Sequence, residues 1–389
     1  MASPNKLIVE DESCLNIDWD FPDARREKTS YLTHGAHGYT SKYIPQIPYN
    51  LIKKYSKKGD VVLDNFVGSG TTLVEACILG RNSIGIDINY YPCLISSVKT
   101  TILTDTDGKD LNENIERIKC FISAFRAKNI DDSDYDDLKV NNKLEKLNFI
   151  SRLYSSSNLK ELLIIKSLID AIKEKNVRNV LLISFIGILR KVSYLTSNFA
   201  NDYVPRNKDK VSDVLQEFLS EFEKVYGRIK EFNEVVDTEC DVKIINEDTR
   251  NLSLDDESVD LIINHPPYIS AVPYAEYFKL EMIWLGLDPK ELNATIIGGK
   301  RSSAQVVERF NEGMQTAFKE MYRVLRKGKY ACVVIGNARV KGKIIESNKD
   351  FIEFGTKAKF KFIKDIERKK LDCSHAWMKK EHILIFKKE

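Results

Sequence analysis

The stretch Asp60–Asp87, "DVVLDNFVGSGTTLVEACILGRNSIGID", decides the fold. It begins with an apolar run, "DVVLD" (60–64), that reads as a buried strand, and then turns at Gly68 and Gly70. "TTLVEACILG" (71–80) reads as a helix stopped by a glycine, and "SIGID" (83–87) as a second strand ending on an acid. Strand, glycine turn, helix and strand form the β-α-β unit from which parallel sheets are built, so the chain is read as α/β.

Outward from this unit the pattern changes twice. From about Lys99 to Glu234 helical periodicity dominates, as in "LKELLIIKSLIDAIKEK" (159–175) and "VSDVLQEFLSEFEKVYGRIKEF" (211–232). An acidic run, "DDSDYDD" (131–137), reads as a solvated loop within it. Strand patterns return at "DVKIINED" (241–248), "VDLIIN" (259–264), "YACVVIG" (330–336) and "HILIF" (382–386). The expected organisation is an arm over residues 1–30, with Trp19 and Phe21 as anchors, and a sheet domain over 31–98 and 236–389. A helical insertion over 99–235 interrupts that domain.

Composition bounds the function classes. The 389 residues are 43% hydrophobic and 30% charged, the balance of a folded globular chain. A net charge of +3 neither demands nor excludes nucleic acid, since a local basic face can coexist with a balanced total. Seven scattered cysteines and five histidines show no metal-ligand spacing and no disulfide framework, so no metal is expected and a reducing, intracellular setting is. The N-terminus lacks a basic start followed by an apolar core, and Val180–Leu189 is too short to span a bilayer. No membrane role is expected.

The glycine turn suits a ligand. Gly68 and Gly70 let the backbone approach it closely, and Thr71 and Thr72 open a helix whose N–H groups face it. Asp64 ends the strand before the turn, and Asp87 ends the next strand, where a carboxylate suits ribose hydroxyls. Leu73 stands where a dinucleotide fingerprint has a third glycine, and no Lys follows as in a P-loop. A ribose-bearing cofactor without a pyrophosphate fits better, and S-adenosylmethionine is the obvious one. Asp248, after a further strand, is placed to accept from an adenine amino group, although acids are common at strand ends.

A second element is "NHPPY", Asn264 to Tyr268. Pro266 and Pro267 fix φ twice and remove two backbone donors, leaving carbonyls as directed acceptors. Tyr268 adds a flat face for a planar ring. With an acceptor side chain at the first position the turn suits an –NH2 group on a base taken out of its helix. Two acceptors drawing the hydrogens from the ring plane localise the nitrogen lone pair toward a methyl donor, and no covalent enzyme intermediate is needed. A Pro-Pro kink capping a strand is the bland alternative, and the glycine turn with Asp87 argues against it.

These residues resemble the amino-methyltransferases of DNA, which methylate cytosine N4 or adenine N6. Phe66, Gly68 and Gly70 match the family's F-x-G-x-G, and Pro266, Pro267 and Tyr268 its [DNS]-P-P-[YFW]. "HGYTSKYIPQIPYNLI" (37–52) resembles the motif that closes over the methionine end of the cofactor, with His37, Lys42, Tyr43 and Pro45 on its fixed positions. "GRNSIGIDIN" (80–89) resembles the second cofactor strand and "DTR" (248–250) the adenine contact. "YAEYFKLEMIWLG" (274–286) and "MYRVLRKGKYACVVIG" (321–336) resemble segments of members that act on cytosine N4. The matches cover about half the chain, all outside the helical middle.

The resemblance implies a Rossmann-like class I methyltransferase sheet, mostly parallel and seven-stranded, with a helical insertion. It implies S-adenosylmethionine as cofactor, double-stranded DNA as partner, a prokaryotic cytoplasm as setting and, commonly, a cognate restriction endonuclease. The departure is His265, where the family has Asp, Asn or Ser. A neutral imidazole accepts one hydrogen bond, so His265 is the expected acceptor, with Asn264 its rival. The helical middle is expected to read the DNA sequence, through Arg190, Lys191, Tyr194, Tyr203, Arg206 and Lys208 in "RKVSYLTSNFANDYVPRNKDK" (190–210), although a solvated helix end reads equally well.

Other chemistries fit less well. Carbon-5 methylation of cytosine needs a Cys nucleophile, and Pro92-Cys93 follows the cofactor strand rather than a later one. Protein glutamine and RNA guanine methyltransferases share N-P-P-Y, but the long upstream match favours DNA. A binding-only methyltransferase fold is disfavoured by Gly68, Gly70, Asp87 and Tyr268 standing together.

Overall fold

The β-α-β unit sits at the centre of one seven-stranded sheet. The computed structural model describes residues 17–40, 42–127, 147–195, 203–205, 212–236, 240–269, 273–298, 305–340, 343–369 and 380–389. After a single helical turn at Arg26–Thr29, helix α1 (Gln46–Tyr55) leads into β1 (Val61–Asp64). Then come α2 (Thr71–Ile78), β2 (Asn82–Asp87) and α3 (Tyr90–Lys99), the last capped by the Asn89 side chain on the Tyr91 N–H. β3 (Val242–Asn246), β4 (Val259–Asn264), β5 (Leu325–Gly336), β6 (Lys361–Lys369) and β7 (Lys380–Lys387) complete the sheet.

The strand order is β3-β2-β1-β4-β5-β7-β6. The first five strands pair in parallel, and β7 alone runs against its neighbours β5 and β6. This is the mostly parallel seven-stranded sheet expected of class I methyltransferases. Strand order reverses beside β1, because β2 leaves on one side and β4 returns on the other. Ligands of open α/β sheets lie in the crevice at such a switch point, beyond the carboxyl ends of the strands. Both sequence motifs follow those ends, the glycine turn after β1 and the proline turn after β4.

The helical middle comprises α4 (Asp105–Arg126), α5 (Ser156–Asp170), α6 (Lys175–Ile188) and α7 (Val214–Asn233). Thr104 and Asp107 form a reciprocal capping box at the start of α4, and Ser155 and Asp213 cap α5 and α7. Its apolar core is continuous with the sheet domain. Tyr91, Leu94, Ile95 and Val98 of α3, and Phe278, Leu280 and Trp284 downstream of the proline turn, belong to the same buried cluster as Phe185 and Phe222. The middle is therefore packed onto one face of the cofactor side.

Of the N-terminal arm, residues 17–30 lie on the body. The Trp19 carbonyl accepts from Arg368 Nε at 2.8 Å, and Asp20 Oδ1 accepts from the Lys369 N–H at 2.6 Å. Residues 1–16, the acidic run 131–137, Arg206 and Lys208 lie outside the described residues. Among the described residues no helix is long and apolar enough to cross a membrane, and no cluster of His, Cys, Asp or Glu has the makings of a metal site.

Candidate active site

A cavity opens where the two turns face one another across the β1/β4 switch, enclosing about 890 Å³ with its mouth included. Its walls include Phe66, Gly68 and Thr71 of the glycine turn, Asp87 and Asn89 beyond β2, Asp248 beyond β3, and His265 and Pro267 beyond β4. Lys42 and Tyr43 enter from the segment before α1. Five strand ends or loops far apart in sequence thus meet in one concave site.

The glycine turn is held from beneath by acids. Gly68 and Gly70 have φ of 47° and 77°, the left-handed region that favours glycine. The Gly68 N–H donates to Asp87 Oδ2 at 3.2 Å, and the Asn89 N–H donates to Asp87 Oδ1 at 2.9 Å. Enclosure by the cavity walls still pushes the Asp87 carboxyl up to about 6. Asp87 retains lone pairs toward the cavity for a diol. Asp248 is gripped by Arg250, with Oδ1 accepting from Nε at 2.9 Å and Oδ2 from Nη2 at 2.5 Å, and it lines the same space.

Several predicted residues stand elsewhere. Asp64 is buried under the turn, where Oδ1 accepts from the Phe66 N–H at 3.1 Å and Oδ2 from the Thr72 hydroxyl. Burial pushes its carboxyl up to about 7. Asp64 and Thr72 therefore shape the loop rather than touch the cavity, because a strand-end side chain that caps its own turn has turned inward. Tyr43, bonded to Thr72, is the wall residue of that group. Pro45 caps the start of α1 and does not line the cavity. His37 is buried, its Nε2 bonded to the Tyr91 hydroxyl at 2.8 Å, and burial with Lys99 nearby pushes it down to about 3. Gly70 is closed off by Ser96, whose Oγ also donates to the Gly68 carbonyl at 2.9 Å.

At the proline turn His265 lines the cavity, its ring edge-on to Tyr43 with centroids 5.2 Å apart. Asn264 does not. It is 1% exposed, and its Nδ2 donates to Asn65 Oδ1 at 2.6 Å. Tyr268, expected to offer its face to a base, is 9% exposed and turned into the core, its hydroxyl 2.9 Å from His265 Nε2. Pro266 is buried and is not a wall residue.

The expected DNA contacts also divide. Arg190 is 7% exposed, its Nε donating to Glu281 Oε1 at 2.9 Å and its Nη2 to the Tyr203 hydroxyl at 3.0 Å and the Tyr277 carbonyl at 2.8 Å. Burial with three acceptors makes it a strut between the helical middle and the segment after the proline turn, not a phosphate ligand. Lys191 is half-exposed but paired with Glu221 at 2.8 Å. Tyr203 packs on Phe149 and carries Lys279 at 5.7 Å from its ring, and Tyr194 is half-buried, its N–H donating to the Leu153 carbonyl at 2.8 Å. Cys93, the rejected nucleophile, is buried in α3, and its thiol is pushed far up by that burial.

Among the wall residues that escaped the sequence reading are Asn65, Tyr39 and Tyr274. Asn65 donates to Thr249 Oγ1 at 2.5 Å and accepts from Asn264, so it ties the ends of β1, β3 and β4 together. Tyr39 stacks on Phe278 with centroids 4.9 Å apart at 12°. Tyr274 opens the short helix Tyr274–Tyr277 after the proline turn. Tyr39 and Tyr274 sit inside motif stretches already quoted, which was the available signal. Asn65 carries none, since an amide beside a strand-end acid is common.

The walls fit S-adenosylmethionine. Asp87 and Asp248 place two carboxylates on the walls and Lys42 a cation, and Ser69 Oγ stands buried beside the cavity without a partner among the described residues. The comparisons agree. Residues 8–97 match the family described as DNA methylase. The chain is 25% identical over 413 aligned positions to Type II methyltransferase M.MjaII of Methanocaldococcus jannaschii, covering 85% of this chain and 77% of that one. It is 25% identical over 307 positions to Type II methyltransferase M.MvaI of Kocuria varians, covering 72% of this chain and 64%, under two thirds, of that one. A putative DNA modification methylase of Thermus thermophilus, solved with S-adenosylmethionine, overlaps 36% of this chain and 53% of its own at 19% identity and a TM-score of 0.25, which adds nothing to the topology above. With its motifs, sheet and relatives in agreement, the chain is similar to the S-adenosylmethionine-dependent DNA amino-methyltransferases.

Proposed function

We propose that the protein transfers a methyl group from S-adenosylmethionine to the exocyclic amino group of a base flipped out of a specific DNA sequence, with cytosine N4 favoured and adenine N6 the alternative. The observation that carries this is the meeting of His265 and Pro267 with Asp87 and the glycine turn in one cavity. Asp87 binds the ribose hydroxyls, Asp248 the adenine amino group, and Lys42 the methionine carboxylate. The bound cofactor supplies an electrophilic methyl group. His265 and the carbonyls before the two prolines accept the hydrogens of the amino group, which turns its lone pair out of the ring plane.

The preference for cytosine rests on the segments 274–286 and 321–336, which resemble those of N4 enzymes. The helical middle, residues 99–235, is the proposed target-recognition region, with Lys191 and Tyr194 as its candidate DNA contacts among the described residues. A restriction endonuclease of the same specificity is the partner, and the cytoplasm of a prokaryote the setting, that this function implies.

The test is mass spectrometry of nucleosides from varied-sequence duplex DNA incubated with the protein and S-adenosylmethionine. N4-methylcytosine is expected. N6-methyladenine would keep the mechanism and change the base, and cofactor binding without any methylated base would refute the function. His265→Ala should abolish turnover on the same DNA.

A further inference from the structure

Behind His265 runs a buried chain of polar groups that the proposed chemistry has not yet used. Tyr268 donates its hydroxyl proton to Glu381 Oε1 at 3.1 Å. Glu381 is fully buried on β7, and its other oxygen takes the Arg368 guanidinium from the neighbouring strand β6, where Arg368 is 4% exposed. Arg368 and Glu381 are cross-strand partners, so the sheet register itself aligns them. Gly336 makes room for the arrangement: a Cβ there would lie 2.6 Å from Tyr268 Cε2.

These bonds constrain where the protons along this chain sit. A buried carboxylate bonded to a buried guanidinium stays ionised, because removing the charge from one partner strands the other. An ionised carboxylate only accepts, so the single hydroxyl proton of Tyr268 is committed to Glu381. The Tyr268 oxygen can then meet His265 Nε2, 2.9 Å away, only as an acceptor. His265 Nε2 must carry a hydrogen. In a neutral imidazole the other nitrogen, Nδ1, is then the lone-pair atom.

We infer that Arg368, Glu381 and Tyr268 form a relay that holds His265 as the Nε2–H tautomer, presenting Nδ1 as the hydrogen-bond acceptor for the substrate amino group. Asp, Asn or Ser at this position needs no such device, whereas a histidine works only in one of its two tautomers. Arg368 and Glu381 are positioning residues, since neither touches the cavity. The inference rests on His265 being the acceptor, as proposed above, but its proton placement is measurable without turnover.

The experiment is nitrogen NMR of the full chain labelled with 15N-histidine, with the His265 signals assigned by their loss in His265→Asn. The expected result is a protonated Nε2 and an unprotonated Nδ1 at neutral pH. In Glu381→Gln the amide can donate to the Tyr268 oxygen, which frees the hydroxyl to donate to Nε2 and shifts His265 toward the Nδ1–H form. A base in the wrong tautomer loses function while its geometry survives. Turnover number on duplex DNA should therefore fall on the order of 10- to 100-fold, as for other supporting-shell residues, with cofactor Kd unchanged. Tyr268→Phe supplies a second route, since it removes the acceptor of the Nε2 hydrogen without touching the ion pair. An Nδ1–H tautomer in the unmodified protein, or an Nε2–H tautomer that persists in both variants, would overturn the relay. An Nε2–H tautomer sensitive to both variants, in an enzyme whose turnover survives His265→Ala, would leave the relay standing and sink the acceptor role instead.

Discussion

Replacing Gly70 by alanine separates the two demands made on the glycine turn, backbone conformation and close packing. Gly70 has φ of 77°, and an added Cβ would lie 3.0 Å from Ser96 Oγ and 3.1 Å from Ser96 Cα. The Cα belongs to the buried helix α3 and cannot rotate away. Gly59 is the matched control, with φ of 82° and nothing within 4 Å of its Cβ. Gly59→Ala carries only the left-handed strain, about 1–2 kcal/mol. Gly70→Ala carries that strain plus overpacking of about 1–3 kcal/mol. Guanidinium denaturation should show Gly70→Ala less stable than Gly59→Ala by that second amount. Calorimetric titration should add a second difference. Ser96 Oγ holds the Gly68 carbonyl, so displacing α3 distorts the cofactor loop. S-adenosylmethionine affinity should fall in Gly70→Ala and stay unchanged in Gly59→Ala. Equal stability and equal affinity in the two variants would refute the packing argument.

Three further outcomes are expected. Asp87, pushed up to about 6, accepts ribose hydroxyls as a carboxylate in the proposed function, so cofactor affinity should weaken as pH falls through about 6 and lose that dependence in Asp87→Asn, by titration at several pH values. Arg190→Ala leaves Glu281 buried without its cation, which typically costs about 3–5 kcal/mol, and denaturation should show that loss. Were Arg190 a phosphate ligand instead, the variant would keep its stability and show a shallower salt dependence of DNA binding. Lys99 is 1% exposed with no bonded partner for Nζ among the described residues, and burial holds its pKa far below the ordinary lysine value. The unfolded chain therefore binds the extra proton, stability rises with pH up to the ordinary lysine range, and neutral pH lies on the unfavourable side. Lys99→Met should stabilise the protein by about 1–3 kcal/mol at pH 7 and remove that slope, which thermal denaturation across pH would detect.

Much of the fold was legible because it is written in local patterns. A four- or five-residue apolar run, two glycines and an acid define β1, the turn and β2 without knowledge of their neighbours, and "NHPPY" declares a rigid acceptor turn by covalent geometry alone. Those features are properties of adjacent residues, so the sequence by itself determined them, together with the α/β class and the helical middle. What it left open depends on which residues become neighbours across long separations. Asp64 and Asp87 look alike as strand-end acids, yet one caps its own turn from below and the other faces the cavity. Arg190 looks like a surface cation until Glu281, 91 positions later, is brought beside it. The tautomer of His265 depends on Glu381, 113 positions beyond Tyr268, and on a β6/β7 register that pairs it with Arg368. Direction, burial and partnership of a polar side chain arise only when the sheet closes, and the tertiary structure alone decides them.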